Sequence, residues 1–74
     1  MTIQDILDKA TPSPDDNLRG YSTDSHIHFG LITEMRKEKE LNFSDTVPFV
    51  DNKGDEWIIS ESRILKEIVF YRSP

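Results

Sequence analysis

One aspartate and two histidines, Asp24, His26 and His28, have the residue types and the spacing of a metal site. On a β-strand, alternate residues project from one face, so these three side chains would point the same way. Imidazole nitrogen and carboxylate oxygen are common ligands of zinc and other transition metals. The competing interpretation places both histidines on a solvated strand face, where they form at most a pH-sensitive surface. Because the motif is short and flanked by loop residues, we favour that interpretation and predict no bound metal or other cofactor.

A second cluster is acidic and surrounds a predicted turn, because residues 45–56 hold four acids against the single cation Lys53. The spacing does not match an EF-hand loop, since the alternating ligands and the closing glutamate are missing. The cluster is either a solvated turn or an electrostatic handle for a basic partner. We predict that Asp51, Asp55 and Glu56 form an acidic tip that contacts a partner.

The C-terminal segment combines adjacent aromatic residues with the main basic tract of the chain. Phe70 and Tyr71 would lie on opposite faces of a strand, so one of them should be exposed. An exposed aromatic side chain beside Arg72 is typical of a protein-binding anchor, and Tyr71 and Arg72 are therefore predicted partner-binding residues. The alternative is that Arg63, Lys66 and Arg72 bind nucleic acid together with nearby aromatic side chains.

Catalytic motifs are missing from the sequence. It contains no Gly-x-Ser-x-Gly nucleophile elbow and no Walker or Rossmann glycine pattern. General acid–base catalysis by the carboxylate pairs Asp15–Asp16 or Glu38-x-Glu40 would need a concave site, which so short a chain does not promise. We therefore predict that the chain is not an enzyme.

Length and charge limit the number of domains and the classes of ligand that the chain can bind. The chain has 74 residues and no cysteine, so we predict one domain without disulfides or thiolate metal sites. Nine Lys and Arg stand against fourteen Asp and Glu, a net charge of -5, which disfavours general nucleic-acid binding. The N-terminus does not resemble a signal peptide, and no apolar run approaches the length of a membrane span. We expect a soluble, cytoplasmic protein.

The elements that must position these residues begin with a helix over residues 1–10, capped by Thr2. Residues 11–25 are rich in Pro, Asp, Asn and Ser and predict a loop, with disorder as the simpler interpretation of so long a connection. Residues 26–36 alternate in hydrophobicity and predict a strand, in which Gly30 marks a bend, a bulge or a close backbone approach. Residues 26–72 would then form an antiparallel β core.

The clearest element is a β-hairpin from about Thr46 to Ser60. Two β-rich runs flank a turn in which Gly54 supplies a positive φ. Pro48 lacks an amide proton, so its strand should lie at an edge of the sheet, and Trp57 should face the core. For residues 61–72 we favour a short turn of helix near Ser62–Leu65 and then a strand over residues 67–72.

Together these elements predict an α+β, β-dominated fold, a small antiparallel sheet with a short N-terminal helix. Over about residues 28–71, the pattern resembles SH3-like small barrels of the KOW or Tudor type. The resemblance is carried by three segments, Gly30-Leu31-Ile32, Val47-x-Phe49-x-Asp51-x-x-Gly54 and Trp57-Ile58-Ile59, and by a last strand. Such barrels bind peptides, RNA or larger proteins, which is what the resemblance implies here.

These observations favour a small acidic, non-enzymatic protein-binding module. We expect it to regulate or inhibit a larger complex with a basic surface, such as a nucleic-acid-processing enzyme, as some phage-encoded proteins do. Two alternatives stay open at this point. One is a small-barrel nucleic-acid-binding protein that uses the C-terminal basic and aromatic tract, and the other is a metal-binding protein at Asp24, His26 and His28.

Overall fold

Two helices pack on one face of a five-stranded antiparallel sheet in the computed structural model, which describes residues 1–39, 47–62 and 64–72. The elements in chain order are α1 (Ile3–Lys9), β1 (Thr11–Pro12), β2 (Leu18–Ser22), α2 (Ser25–Lys39), β3 (Val47–Val50), β4 (Glu56–Ser62) and β5 (Glu67–Tyr71). The strand order is β1-β2-β5-β4-β3. The predicted α+β class with a short N-terminal helix is confirmed. The SH3-like barrel is wrong, because β1 and β3 lie at opposite edges and the sheet does not close.

The N-terminal helix forms as its sequence predicts. The Thr2 side chain accepts a hydrogen bond from the Asp5 backbone N–H, and the Asp5 carboxylate accepts one from the Thr2 N–H, which makes a capping box. These bonds hold the pKa of Asp5 below its usual value. The apolar stripe of Ile3, Ile6 and Leu7 is fully buried, and this burial stabilises a helix too short to persist alone.

The prediction of a loop over residues 11–25 is wrong, because this segment contributes two strands. Only residues 13–17 form the turn between β1 and β2, with Asp16 at a positive φ of 56°. The turn-forming composition thus marks a hairpin turn rather than a long connection. β2 has no clear hydrophobic alternation, and its backbone is instead paired along its whole length with the distant strand β5.

The prediction of a strand over residues 26–36 is also wrong, because these residues lie in α2. Asp24 caps the helix: its Oδ1 accepts a hydrogen bond from the Ile27 N–H, and its carbonyl accepts one from the His28 N–H. Helical spacing buries one side of α2, formed by His28, Leu31, Ile32 and Met35. Gly30 makes no bulge, since it lies within the helix and a Cβ added to it would meet open space.

The hairpin is confirmed as β3 and β4, although Thr46 lies outside the described residues. Its turn closes with a hydrogen bond from the Asp51 N–H to the Asp55 carbonyl, and Gly54 has a φ of 86°. β3 is an edge strand, as Pro48 predicted, and Trp57 faces the core with 1% of its surface exposed.

The C-terminal strand is confirmed as β5, which lies at the centre of the sheet between β2 and β4. The predicted helical turn near Ser62–Leu65 is wrong, because β4 continues to Ser62 and residues 64–66 form a tight turn into β5. Lys66 adopts a positive φ of 53° in this turn. Arg63 lies outside the described residues.

The two faces of the sheet differ in what covers them. The inner face packs against α1 and α2, and its buried strand residues are Val47, Phe49, Trp57, Ile59, Ile68 and Phe70. The outer face carries a row of apolar residues that the strand register aligns across four strands, namely Leu18, Tyr71, Ile58 and Pro48. Neither helix among the described residues has the length and apolarity needed to cross a membrane.

Candidate functional site

The metal site predicted at Asp24, His26 and His28 does not form, because the three residues lie at the start of a helix rather than on a strand. On a helix, positions two residues apart point about 200° away from each other. His26 is accordingly exposed and His28 is buried. Within the described residues, no group of three or more His, Cys, Asp or Glu side chains is placed to hold a metal ion.

The five predicted partner-binding residues are divided between two surfaces. Asp51, Asp55 and Arg72 come together beside Trp57, at the inner-face end of the sheet. Strand alternation places Glu56 and Tyr71 on the outer face, where Tyr71 is half-buried. They do not form one acidic tip with an adjacent aromatic anchor, and their role in binding a partner stays a prediction.

Asp51 is the centre of the first of these groups. Its Oδ2 accepts a hydrogen bond of 2.9 Å from Trp57 Nε1, and its Oδ1 accepts two more from the backbone N–H groups of Lys53 and Asp55, each of 2.9 Å. The bond from Trp57, followed by those from the backbone, holds the pKa of Asp51 below its usual value. The carboxylate therefore organises the turn and fixes the indole, and few of its lone pairs are left for a partner.

Two arginines complete the arrangement around Trp57. The guanidinium carbon of Arg72 lies 4.4 Å from the centroid of the Trp57 ring, and that of Arg19 lies 5.0 Å from it. Arg19 also donates two hydrogen bonds to Asp16, which lower the pKa of Asp16 and raise that of Arg19. Arg72 Nη2 lies 3.4 Å from Asp55 Oδ2. We call these six residues the Trp57 cluster: Trp57, Asp51, Asp55, Asp16, Arg19 and Arg72.

The Trp57 cluster connects segments that are distant in sequence. It joins the β1–β2 turn, the β3–β4 turn and the end of β5, and the Arg72 N–H adds a backbone bond to the Asn17 carbonyl. The adjoining depression, of about 240 Å³, mixes acidic and basic side chains in nearly equal number. Its two arginines face Asp16 and Asp55, and Asp51 is held by Trp57 and the turn, although Arg72 Nε is buried without a hydrogen-bond partner among the described residues. The cluster is therefore best explained as a structural device.

A different kind of surface lies at the opposite end of β4. Here a cleft of about 440 Å³ separates α2 from the end of the β4–β5 hairpin. Its α2 side is formed by His28, Phe29, Ile32 and Arg36, and its hairpin side by Glu61 and Lys66. We call it the α2 cleft.

A buried hydrogen bond between His28 and Glu61 forms the floor of the α2 cleft. His28 Nε2 lies 2.7 Å from Glu61 Oε2, and both side chains are about 95% buried, with 5% and 6% exposed. Nδ1 of His28 is buried without a hydrogen-bond partner among the described residues. A proton on Nε2 suits both observations, because Nε2 faces a carboxylate and an N–H at Nδ1 would be left unsatisfied. The pair ties α2 to β4.

The walls of the cleft are open and chemically unlike the floor. The Phe29 side chain is 73% exposed. Its backbone lies in regular helix, and its carbonyl accepts a hydrogen bond from the Thr33 hydroxyl. Arg36 lies about two turns further along the same side of α2. Neither Arg36 nor Lys66 forms an ion pair with any residue that the structure describes.

The β4–β5 turn adds two exposed aliphatic residues next to Lys66. Ile64 is 93% exposed and Leu65 is 70% exposed. The turn itself is held in place, because the Leu65 N–H donates to Ser62 Oγ and the Lys66 carbonyl accepts a bond of 3.3 Å from the Thr23 N–H. We call Phe29, Ile64 and Leu65 the apolar patch.

The cleft also contains the side chains of a nucleophile, a base and an acid. Ser25, His28 and Glu61 all line it. Ser25, however, makes no hydrogen bond to His28 Nδ1, and that nitrogen is shielded from solvent. A general base must reach the proton that it abstracts, so this geometry gives no argument for catalysis.

Sequence reasoning missed both the cleft and the patch, although a signal was present. His28, Leu31, Ile32 and Met35 follow the i, i+3, i+4, i+7 spacing of a helix, and Asp24 precedes them as a cap. Read in this way, the sequence leaves Phe29 off the buried stripe.

Comparisons with known proteins identified no relative of this chain. No family model matches the chain, and searches of curated proteins and of solved structures found no match. The function must therefore be argued from the geometry of the two ends of the sheet.

Proposed function

We propose that this chain is a non-enzymatic protein-binding module that contacts its partner through the apolar patch. The observation that carries the proposal is the 73% exposure of Phe29 in the wall of the α2 cleft. Ile64 and Leu65, 93% and 70% exposed, belong to the turn that carries the cleft residue Lys66. Single exposed hydrophobic residues are ordinary on protein surfaces, but a group of large ones beside a cleft is typical of an interaction site.

The energy available from the patch sets the strength of such a contact. Burying one exposed Phe, Ile or Leu side chain is worth about 1.5–3 kcal/mol. The three together supply roughly 5–9 kcal/mol before the entropic cost of association is subtracted. A micromolar complex needs a net binding free energy of about −8 kcal/mol, so the partner must also contact the surface beside the patch.

Within this proposal, the partner is a larger protein or complex that the module regulates or inhibits. The support is the small size of the chain, its net charge of -5 and its lack of known catalytic motifs. A nucleic-acid-processing enzyme met in the cytoplasm is the specific form of this proposal that the sequence favours, and its basic surface would face the acidic remainder of the chain rather than the cations of the α2 cleft.

Direct nucleic-acid binding is less well supported by the geometry. Lys66 and Arg72 lie at opposite ends of β5 (Glu67–Tyr71), and Arg72 is stacked on Trp57. The basic tract is therefore not one continuous surface for a phosphate backbone.

The test is affinity capture from a lysate of the source organism with immobilised protein and two matched variants. Phe29→Ser removes the aromatic side chain of the patch, and Val50→Ser changes an exposed residue, 59% exposed, at the other end of the sheet. We expect a stoichiometric partner with the wild type and with V50S, and binding at least about tenfold weaker with F29S.

Three outcomes would contradict the proposal. They are the absence of any stoichiometric partner, equal capture by F29S, and loss of capture by V50S alone. The last result would instead assign binding to the outer face of the sheet. Circular dichroism and thermal melts should show that both variants remain folded, because both side chains are exposed.

A further inference from the structure

We infer that the α2 cleft binds a segment of the partner that carries an apolar side chain next to a carboxylate. This inference rests on the proposed protein-binding function and specifies the chemistry of the partner. It is carried by two cations and an aromatic ring that share one cleft without pairing with the rest of the described chain.

The charge around the cleft is opposite to that of the chain as a whole. Arg36 and Lys66 stand on its two sides, whereas the chain has a net charge of -5. Among the described residues that line the cleft, Glu61 is the one acid, and it is buried against His28. The acids closest in sequence to Arg36, Glu34 and Glu38, do not line the cleft; Glu34 pairs with the N-terminal ammonium, and Glu38 accepts a hydrogen bond from the Ile3 N–H. On the hairpin side, Glu67 does not line it either and accepts a hydrogen bond from the Ser22 hydroxyl. A carboxylate would therefore meet positive potential in the cleft.

The apolar side chains of the cleft indicate a ligand that has an apolar group as well as a negative charge. Phe29 and Ile32 line it together with the cations, and the volume of about 440 Å³ falls within the range of ligand pockets. A free phosphate or sulfate would leave the exposed ring of Phe29 in water. A peptide with adjacent apolar and acidic side chains satisfies both halves of the surface.

The backbone of Lys66 is a second, independent observation. Its φ of 53° lies in the left-handed region, which Gly and Asn adopt at lower cost than lysine. Residues held in this region are concentrated at ligand sites, where the surrounding structure compensates for the strain. A lysine in this position places a cation at the mouth of the cleft, which Gly or Asn would not supply.

Single-stranded nucleic acid fits the same cleft less well than a peptide. Such ligands need a cationic groove along several phosphates and a series of stacking aromatic side chains. The described cleft offers two cations and one aromatic side chain. We therefore treat nucleic acid as an outcome that the test must be able to detect.

The test is a titration of ¹⁵N-labelled protein with three acetylated, amidated nonapeptides in a Gly-Ser frame. The first contains a central Glu-Leu-Glu-Leu; the second has Lys in place of Glu, and the third has Ser in place of Leu. We expect saturable shifts of the amide signals of Phe29, Thr33 and Lys66 with the first peptide and clearly weaker binding of the other two. An RNA decamer is titrated in parallel.

Matched variants test the two cations. Arg36→Gln and Lys66→Asn should each lower the affinity for the first peptide by about threefold to fivefold, the effect expected from the loss of one exposed ion pair. Asparagine suits the left-handed backbone at position 66, so K66N removes the charge without disturbing the turn. Lys53→Asn removes an exposed lysine at the opposite end of the sheet and should leave the affinity unchanged.

The inference is overturned if the Lys peptide binds as tightly as the Glu peptide, if none of the peptides binds, or if the shifts map outside the cleft. Tighter binding of the RNA decamer at the same amides would also overturn it.

Failure of this inference can be told apart from failure of the proposed function. If captured partner depends on Phe29 but not on Arg36 and Lys66, the protein-binding role stands and the acidic segment does not.

Discussion

The two ends of β4 show opposite ways of using charged and aromatic residues. At one end, the Trp57 cluster buries its aromatic ring and sets two arginines against two aspartates. At the other, the α2 cleft leaves Phe29 exposed and its two cations without ion pairs among the described residues. The strand that separates them has seven residues, a length of roughly 23 Å at about 3.3 Å per residue.

A motif of charges and aromatics does not by itself mark a binding site. What matters is whether the groups are already satisfied within the chain. Asp51, Asp55 and Arg72 have the residue types of a binding surface, but they hold the fold together. Phe29 and Arg36 belong to no motif in the sequence, and Lys66 stands out only as part of a basic tract. In the structure, however, Phe29 is exposed and the two cations form no ion pair with the described residues.

The largest contrast should appear when the aromatic residue of each end is removed. Trp57→Ala should lower the free energy of unfolding by about 3–5 kcal/mol, because it empties a fully buried site. Phe29→Ala should change it by less than about 0.5 kcal/mol, because that ring is exposed. Urea denaturation of both variants measures the difference. Equal losses of unfolding free energy would contradict the burial of Trp57 and the exposure of Phe29.

The floor of the cleft should behave like the Trp57 cluster rather than like the cleft walls. His28→Ala leaves Glu61 buried without its imidazole partner and should cost about 3 kcal/mol of unfolding free energy. His26→Ala, two residues away on the same helix but exposed, is the control and should have almost no effect. A stable H28A variant would mean that the pair does not connect α2 to the sheet.

The carboxylate of Asp51 offers a smaller and more specific test. Asp51→Ala removes an acceptor from Trp57 Nε1 and from two backbone N–H groups, and should cost about 1–3 kcal/mol by urea denaturation. Asp51→Asn can keep the two backbone bonds at Oδ1 and should cost less. A neutral D51A variant would contradict the structural role given to this residue.

Acid should weaken the Trp57 cluster. The pKa values of Asp16 and Asp51 are lowered in the folded state, so the native chain binds fewer protons than the unfolded chain near pH 4. Their contribution is complete above the unfolded value of about 3.9 and is lost as the pH falls through the lowered values. Melting temperatures between pH 7 and pH 2.5 should fall over this interval, with a shallower fall in the Asp16→Asn variant.

The smallest predicted effect concerns the strained turn at the cleft. Lys66→Asn should raise the free energy of unfolding by up to about 1 kcal/mol, because asparagine adopts the left-handed region more readily. The same variant is expected to weaken peptide binding at the cleft. A loss of stability instead would show that the lysine side chain contributes packing rather than strain.

The elements whose signals are local could be predicted from the sequence. The capping box at Thr2 predicts α1, and the turn with Gly54 predicts the hairpin of β3 and β4, including the edge position of Pro48. In each case, neighbouring residues supply both the hydrogen bonds and the backbone preference, so no distant contact is needed to form the element.

The elements and sites that depend on distant partners could not be predicted, because they form through tertiary contacts. β2 forms because the central strand β5 pairs with it, and α2 forms where an alternating pattern of Ile27, Phe29 and Leu31 also fits a strand. The choice of helix follows from the packing of Leu31, Ile32 and Met35 against the sheet, which leaves Phe29 outside the core. Burial and charge pairing are properties of the whole fold, so the sequence did not show which charges are satisfied and which remain free to bind.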